Sequence, residues 1–375
     1  MDTKIAFAHD WAVTYAGSEK VVDAVTQLYP EAPLYTLFYE PEVLKNTFLA
    51  QRPVKTSSLD RFHFLRKRHR TLLPIMPFLW EQFDVGNYDI VFSSCHAAAK
   101  GILTRADQLH ISYIHTPIRY AWDLYHPYLQ ESKLTKGIRG FFAKCILHYL
   151  RLWDFQAAQR VDYLIANSNY VARRIQKIYR RPATVIYPPV DVELFSAAEP
   201  REDFYVTMSR FVPYKRIDLI VEAFTNLNKP LKVIGTGPDV EKIRRLAGPN
   251  VELLGYLPND VAKSYLERCR AFVFAADEDF GITPVEAQAA GAPVIAFERG
   301  GCCETVIAGK TGLFFKEQTV KSLVAAINDF EAQGTSSWDS KAISAHAQKF
   351  SRQRFQQEIK HYIEEAWSKF CLSPT

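Results

Sequence analysis

Glu278 and Glu286 stand with seven residues between them in DEDFGITPVEAQAAGAPV, residues 277–294. The stretch follows the apolar run AFVFA (271–275) and opens a helix near Thr283 and Pro284, a placement that suits proline in a first turn. Glu278 is thereby expected in the loop at a strand's end and Glu286 in the first turn of the helix. The free backbone N–H groups of such a helix start attract anions. A lone glutamate there also simply answers the helix dipole, so the pair needs company. Arg210 and Lys215, in SRFVPYKR, follow the run FYVTM and so end a strand. Together they suit a diphosphate, arginine as a planar fork and lysine as a point charge. Gly235 and Gly237 in GTGP form a turn that lets a ligand approach the backbone, although GTGPDV lacks the last glycine of a dinucleotide fingerprint. Hydroxyl acceptors, cations and helix amides in this order describe a site for a sugar joined to a nucleoside diphosphate.

The elements that must carry these residues alternate along the whole chain. Continuous apolar runs fall at 4–9, 89–94, 110–115, 162–167 and 184–188, and again at 204–209, 231–235, 251–255, 271–275 and 293–297. Helical patterns lie between them, for example at 18–29, 216–227 and 260–269. Unbroken rather than alternating apolar runs indicate strands buried on both faces, hence parallel sheets covered by helices. The expected class is α/β, with two doubly wound Rossmann-like domains facing a cleft. Adjacent prolines in YPPVDVELFSAAEPRED (187–203) mark the break. The expected segments are 1–190, 191–350 and a final helix over 351–375 that could cap either domain, packing back on the first being one of the two.

Composition removes other classes. At 375 residues, 48% apolar and a net charge of +5, the chain is neither disordered nor a disulfide scaffold, and its six cysteines show no zinc-ligand spacing. No run of 18 apolar residues exists, and the opening MDTKIAFAHDW does not read as a signal peptide. Charge is uneven: residues 1–180 carry 23 Lys and Arg against 16 Asp and Glu, the remainder 23 against 25. Two acid-free basic stretches, 61–80 and 132–151, interleave cations with apolar residues, as interfacial binding to anionic lipid requires. In the second, Ile138, Phe141, Phe142, Cys145, Ile146 and Tyr149 recur at helical spacing, a stripe that would otherwise pack inside its own domain. No nucleic-acid recognition module is visible.

The second half resembles the retaining glycosyltransferases of family 4, which have the GT-B fold. The matching pieces are SRFVPYKRIDLIVEAF, VIGTGP, VELLGYL, EDFGITPVEAQAAGAPVIA and GGCCETVIAGKTGLFF. The resemblance implies that Glu286 holds the ribose and that Arg210 and Lys215 hold the diphosphate. Glu278, with the backbone of Phe280, Gly281, Ile282 and Thr283, would hold the transferred sugar, and the turn at Tyr256 and Leu257 would lie near the base. In the first half, Gly17 in YAGSEKVV stands where the family has a glycine-rich loop near the leaving phosphate, and His115 in SYIHTPIRYAWD faces the donor sugar. His9 and Asp10 end the first strand and are expected on the acceptor side, and Arg119 suits an acceptor phosphate. Cys302 and Cys303, where the family more often has aliphatic residues, are read as buried fillers.

The expected reaction moves a hexose from a GDP-sugar or UDP-sugar onto an acceptor hydroxyl, with retention and with neither metal nor other cofactor. AGSEKVV, LPIMPFLWEQFD and HTPIRYAWD look like bacterial polysaccharide-assembly enzymes that use GDP-mannose. They point to a mannosyltransferase acting on a lipid-linked saccharide, cytoplasmic and peripheral on the inner membrane face. A UDP-hexose donor is the alternative, and a nucleotide-sugar epimerase the more distant one.

Overall fold

The computed structural model describes residues 3–197 and 200–372. The parts of the expected segments at 1–2, 198–199 and 373–375 lie outside the described residues. The chain forms two compact units, one of residues 1–189 with 355–375 and one of residues 190–354.

The first unit is built on a seven-stranded parallel sheet: β1 (Ile5–His9), β2 (Leu34–Thr36), β3 (Val54–Thr56), β4 (Ile90–Cys95), β5 (Leu109–Ile114), β6 (Tyr163–Ala166) and β7 (Thr184–Val185). Their order is β3-β2-β1-β4-β5-β6-β7. β1, β4 and β5 are buried throughout, as unbroken apolar runs require of strands covered on both faces. The order reverses between β1 and β4, so the carboxyl ends of these two strands form the switch point where such sheets bind ligands.

The second unit repeats the plan with six strands: β8 (Tyr205–Met208), β9 (Leu231–Ile234), β10 (Val251–Gly255), β11 (Ala271–Phe274), β12 (Val294–Phe297) and β13 (Gly312–Phe315). The order is β10-β9-β8-β11-β12-β13, so its switch point falls between β8 and β11.

The helices that carry site residues or complete the core include α1 (Gly17–Thr26), α2 (Gly137–Gln159), α3 (Ile217–Leu227), α4 (Ile282–Ala289) and α5 (Arg352–Leu372). α5 packs on the first unit. Its Phe355, Ile359, Ile363 and Ala366 share a core with Ile5, Phe7, Val21 and Val25, and Gln356 donates to the Ala24 carbonyl at 3.0 Å. α2 turns inward a face other than its apolar stripe. Its buried stripe is Gly140, Leu147, Leu150, Asp154, Ala157 and Ala158, whereas Ile138, Phe141, Phe142, Cys145, Ile146 and Tyr149 are all exposed. Among the described residues no helix is long and apolar enough to cross a membrane.

Candidate functional site

In the second unit a cavity of about 560 Å³ opens at the carboxyl ends of β8, β9 and β10, lined by Arg210, Gly235, Gly237, Tyr256, Leu257 and Thr283 among others. Six residues singled out from sequence thus meet in one space. Arg210 is exposed there, and Tyr256 is 75% exposed. The two glycines serve the loops more than a ligand. A Cβ on Gly235 would stand 1.8 Å from the Ser209 carbonyl oxygen, and one on Gly237 2.3 Å from that of Phe211. Only glycine therefore lets the turn after β9 lie against the loop that carries Arg210.

Lys215 and Glu278 form an ion pair, and both side chains are largely buried. The Lys215 ammonium also lies 5.7 Å from the centre of the Phe274 ring. Asp277 pairs with Arg299 at 3.0 Å. The loop holding Glu278 rests on Gly300 and Gly301, and the Gly301 N–H donates to the Glu278 carbonyl at 2.8 Å. A Cβ on Gly300 would come within 2.3 Å of that same carbonyl, at a φ of +75°. Sequence inspection passes over this pair because its role is to be approached rather than to react.

Gly281 precedes α4, which begins at Ile282; Phe280 is buried against the Phe350 ring at 5.7 Å. Glu286 is the fifth residue of this helix, so the expected first-turn placement is corrected to the second turn, beyond the strongest influence of the dipole. Cys302 is buried, and burial pushes its thiol well up. Cys303 is exposed, which corrects its reading as a buried filler.

The first unit holds a second cavity, about 540 Å³, near its own switch point; Arg119 lines it, and so do Ala16 and Ser18 on either side of Gly17. Gly17 is the first residue of α1, and the Glu19 carboxylate accepts from the Ala16 N–H at 3.1 Å and from the Ser18 hydroxyl at 2.9 Å. The start of this helix is thus already occupied by an anion, which alters the phosphate contact expected near Gly17. Burial opposes charge on Glu19, yet the hydrogen bond and charge of His9 hold it at about 2.

Asp10 and His9 are both fully buried. The Asp10 carboxylate accepts four backbone N–H groups, from His96, Ala97, Ala98 and Ala99, at 2.6–2.8 Å. Its expected place on the acceptor side is corrected: the carboxylate is buried and turned to the backbone of the turn after β4. His9 Nδ1 stands 3.2 Å from the Ser94 carbonyl, inside the protein, so it too has no direct access to an acceptor. His115 Nε2 shares a 2.8 Å hydrogen bond with the Ser94 hydroxyl, and burial, with His96 and His9 nearby, lowers it to about 3. It is a neutral imidazole at pH 7. Sequence reasoning missed His96, which lines this cavity, and Lys100, which lies beneath the turn, and it read Arg70, also in the lining, only as part of the basic stretch 61–80. Lys100 pairs with Asp154 of α2, whose other oxygen accepts from Trp122 and Tyr179 at 2.8 and 2.9 Å.

The basic stretch 61–80 divides. Arg66 is held by Asp60 at 2.8 and 3.1 Å, and Met76 and Trp80 are core residues, while Phe64, Lys67, Arg68 and Phe78 are exposed.

Residues 34–194 match the model of Glycosyltransferase Family 4 and residues 193–350 that of Glycosyl transferases group 1. Among curated relatives, the chain is 29% identical over 218 residues to an uncharacterized glycosyltransferase, MJ1178, of Methanocaldococcus jannaschii, covering 56% of this chain and 61% of that one. It is 31% identical over 198 residues to the GDP-mannose-dependent alpha-(1-6)-phosphatidylinositol monomannoside mannosyltransferase of Mycobacterium tuberculosis, covering 44% and 51%. The chain thus spans about half to three-fifths of these relatives' lengths. Among solved structures, Anabaena HepE in complex with UDP superposes with a TM-score of 0.71 at 18% identity, covering 97% of this chain and 100% of that one. Sucrose-phosphate synthase from Thermosynechococcus elongatus does so at 0.77 and 16% identity, covering 98% and 100%. At such identities the structures speak for the fold alone, and the fold is GT-B. Two matched domains in sequence, each on a parallel Rossmann-like sheet, place the chain in the GT4-like family of glycosyltransferases.

Proposed function

We propose that the protein transfers a hexose, mannose from GDP-mannose, with retention onto a lipid-linked saccharide at an anionic membrane face, and needs no metal to do so. The observation that carries this reading is the cavity of the second unit, where Arg210, Tyr256 and Thr283 gather on the loops that also bear the Lys215–Glu278 pair. Breaking the anomeric bond puts negative charge on the departing diphosphate. Arg210, Lys215 and the amides at the start of α4 stabilise that charge as it forms. Glu278 and Glu286 accept hydrogen bonds from sugar and ribose hydroxyls, and Tyr256 offers its exposed ring to the base. The mycobacterial relative is named for GDP-mannose, which favours that donor.

A UDP-hexose is the second reading, favoured by HepE, which was solved with UDP-glucose. Calorimetry with GDP, UDP and their sugars decides between them, and the anomer of the product, read by NMR, tests retention. Release of nucleoside diphosphate only when acceptor is present supports a transferase; interconversion of free nucleotide sugars would establish an epimerase and refute it.

Membrane contact is supported by α2. Its exposed face carries Ile138, Phe141 and Phe142 at 74%, 63% and 59% exposure, flanked by Lys133, Lys136 and Arg139. Exposed aromatics beside lysines are what a headgroup region accommodates.

A further inference from the structure

The cavity of the first unit combines cationic, aromatic and imidazole groups. Arg70 and Arg119 supply two guanidinium forks, Trp11, Tyr120 and Tyr128 supply ring faces and edges, and His96 supplies an imidazole. The histidine is flanked on two sides. Its Nδ1 stands 3.3 Å from Asp10 Oδ2, and its ring meets Trp11 edge-on, 4.4 Å between centres at 89°. Asp10 cannot yield, since four backbone N–H groups fix its carboxylate. Carboxylate charge favours the proton on Nδ1, which leaves Nε2 as a hydrogen-bond acceptor. Burial lowers the proton affinity of His96, against the opposing charge of Asp10, so the ring is neutral at pH 7.

The charges facing His96 are few and known: Asp10 and Glu19 as anions, Arg70 as a cation, and His9 behind it. Because Glu19 already serves the start of α1, a phosphoryl group is repelled from that helix end and drawn to the arginines. Aromatic walls next to a phosphate seat suit a pyranose ring, whose C–H faces pack on tyrosine and tryptophan while its hydroxyls seek polar partners.

We infer that this cavity binds a phosphorylated saccharide, with Arg70 and Arg119 on the phosphoryl group and His96, oriented by Asp10, accepting a hydrogen bond from a saccharide hydroxyl. This deepens the transferase reading by giving the acceptor its chemistry, and rests on that reading for the word acceptor. The same headgroup chemistry belongs to a free sugar phosphate and to a lipid-linked one.

The test is calorimetry on the full chain with mannose 1-phosphate, mannose and inorganic phosphate, first with GDP and UDP present to fill the second unit and then without them. Mannose 1-phosphate is expected to bind at least tenfold more tightly than either fragment. R70Q and R119Q should each remove that advantage at unchanged melting temperature. H96Q should weaken mannose 1-phosphate several-fold while leaving inorganic phosphate untouched, which a merely structural histidine would not do. Equal binding of mannose and mannose 1-phosphate, or an R70Q/R119Q variant that binds as the native protein does, overturns the inference. A second arm offers mannose phosphate esterified to a long-chain alcohol in phosphatidylcholine vesicles: tighter binding there assigns the lipid-linked source, equal binding the free one, and both support the site. Failure of GDP and UDP to bind would refute the reading of the second unit instead, and the titration without nucleotide would still decide the first.

Discussion

Lys215 and Glu278, which reach each other from the loops after β8 and β11, form one ion pair across the switch point of the second sheet. Each holds the other in place, and each is assigned by the proposed function to a different part of one donor. A sugar nucleotide must therefore exchange this contact for two others. E278Q should bind nucleoside diphosphate as well as or better than the native protein, because the lysine is released, yet turn over slowly. K215M should lose both, with kcat falling ~10²-fold, the usual cost of removing one preorganised charge donor. Separate determination of nucleotide Kd and kcat checks the contrast.

Gly300 makes a second, steric demand on the same loop. Alanine there adopts a left-handed φ at a cost of roughly 1–2 kcal/mol and forces its Cβ onto the Glu278 carbonyl. G300A is expected to lower both melting temperature and turnover, whereas G309A, at a similar φ with nothing near its Cβ, should lower only the former. Scanning calorimetry and steady-state rates distinguish the two.

His110, fully buried beside the Ser93 hydroxyl at 2.9 Å, is lowered to about 3 by burial, with Arg160 and Arg181 nearby. Its unfolded value lies near 6.5. Between these limits only the unfolded chain takes up the proton, so the stability it contributes is full above about pH 6.5 and is lost as pH falls toward 3. His115 acts in the same direction. Melting temperature should fall steadily from pH 7 to pH 4, and H110Q should flatten the slope.

The Lys100–Asp154 pair lies wholly inside the first unit, tying the turn after β4 to α2. Beside Asp154, Lys100 is held at about 12 against the opposing pull of burial. Removing the ammonium alone leaves a buried carboxylate, and K100M should cost about 3–5 kcal/mol in denaturant unfolding. K100M with D154L should recover part of that loss.

Serine at Phe141 and Phe142 should leave melting temperature unchanged, since neither side chain is in the core, and should reduce sedimentation with anionic vesicles. Salt should weaken what binding remains, through screening of Lys133, Lys136 and Arg139.

Most of the strands were legible as apolar runs because they are buried on both faces. β2, β3 and β13 were not: β2 and β3 have three residues each, too short for periodicity to register, β3 is mostly exposed, and β13 has only four residues with its middle two partly exposed. The residues after β8 and β11 were readable because cations and carboxylates at strand ends announce chemistry. Asp10 was legible as a strand-end carboxylate but not in its use, since four backbone partners 86 to 89 positions away leave no trace in local sequence. α2 was legible only as a choice between two faces. Its apolar spacing suits an interfacial face as well as a packed one, and only the fold shows that the helix turns small residues and leucines inward and leaves the aromatic stripe exposed.

α5 belongs to the first unit although the whole second unit precedes it in the chain. A nascent polypeptide can therefore complete residues 190–354 while β1 and α1 still lack Phe355, Ile359 and Ile363. The lobe begun first on the ribosome is the one finished last. Shortening the carboxyl terminus should accordingly unravel the amino-terminal half of the protein and spare the half nearer the cut.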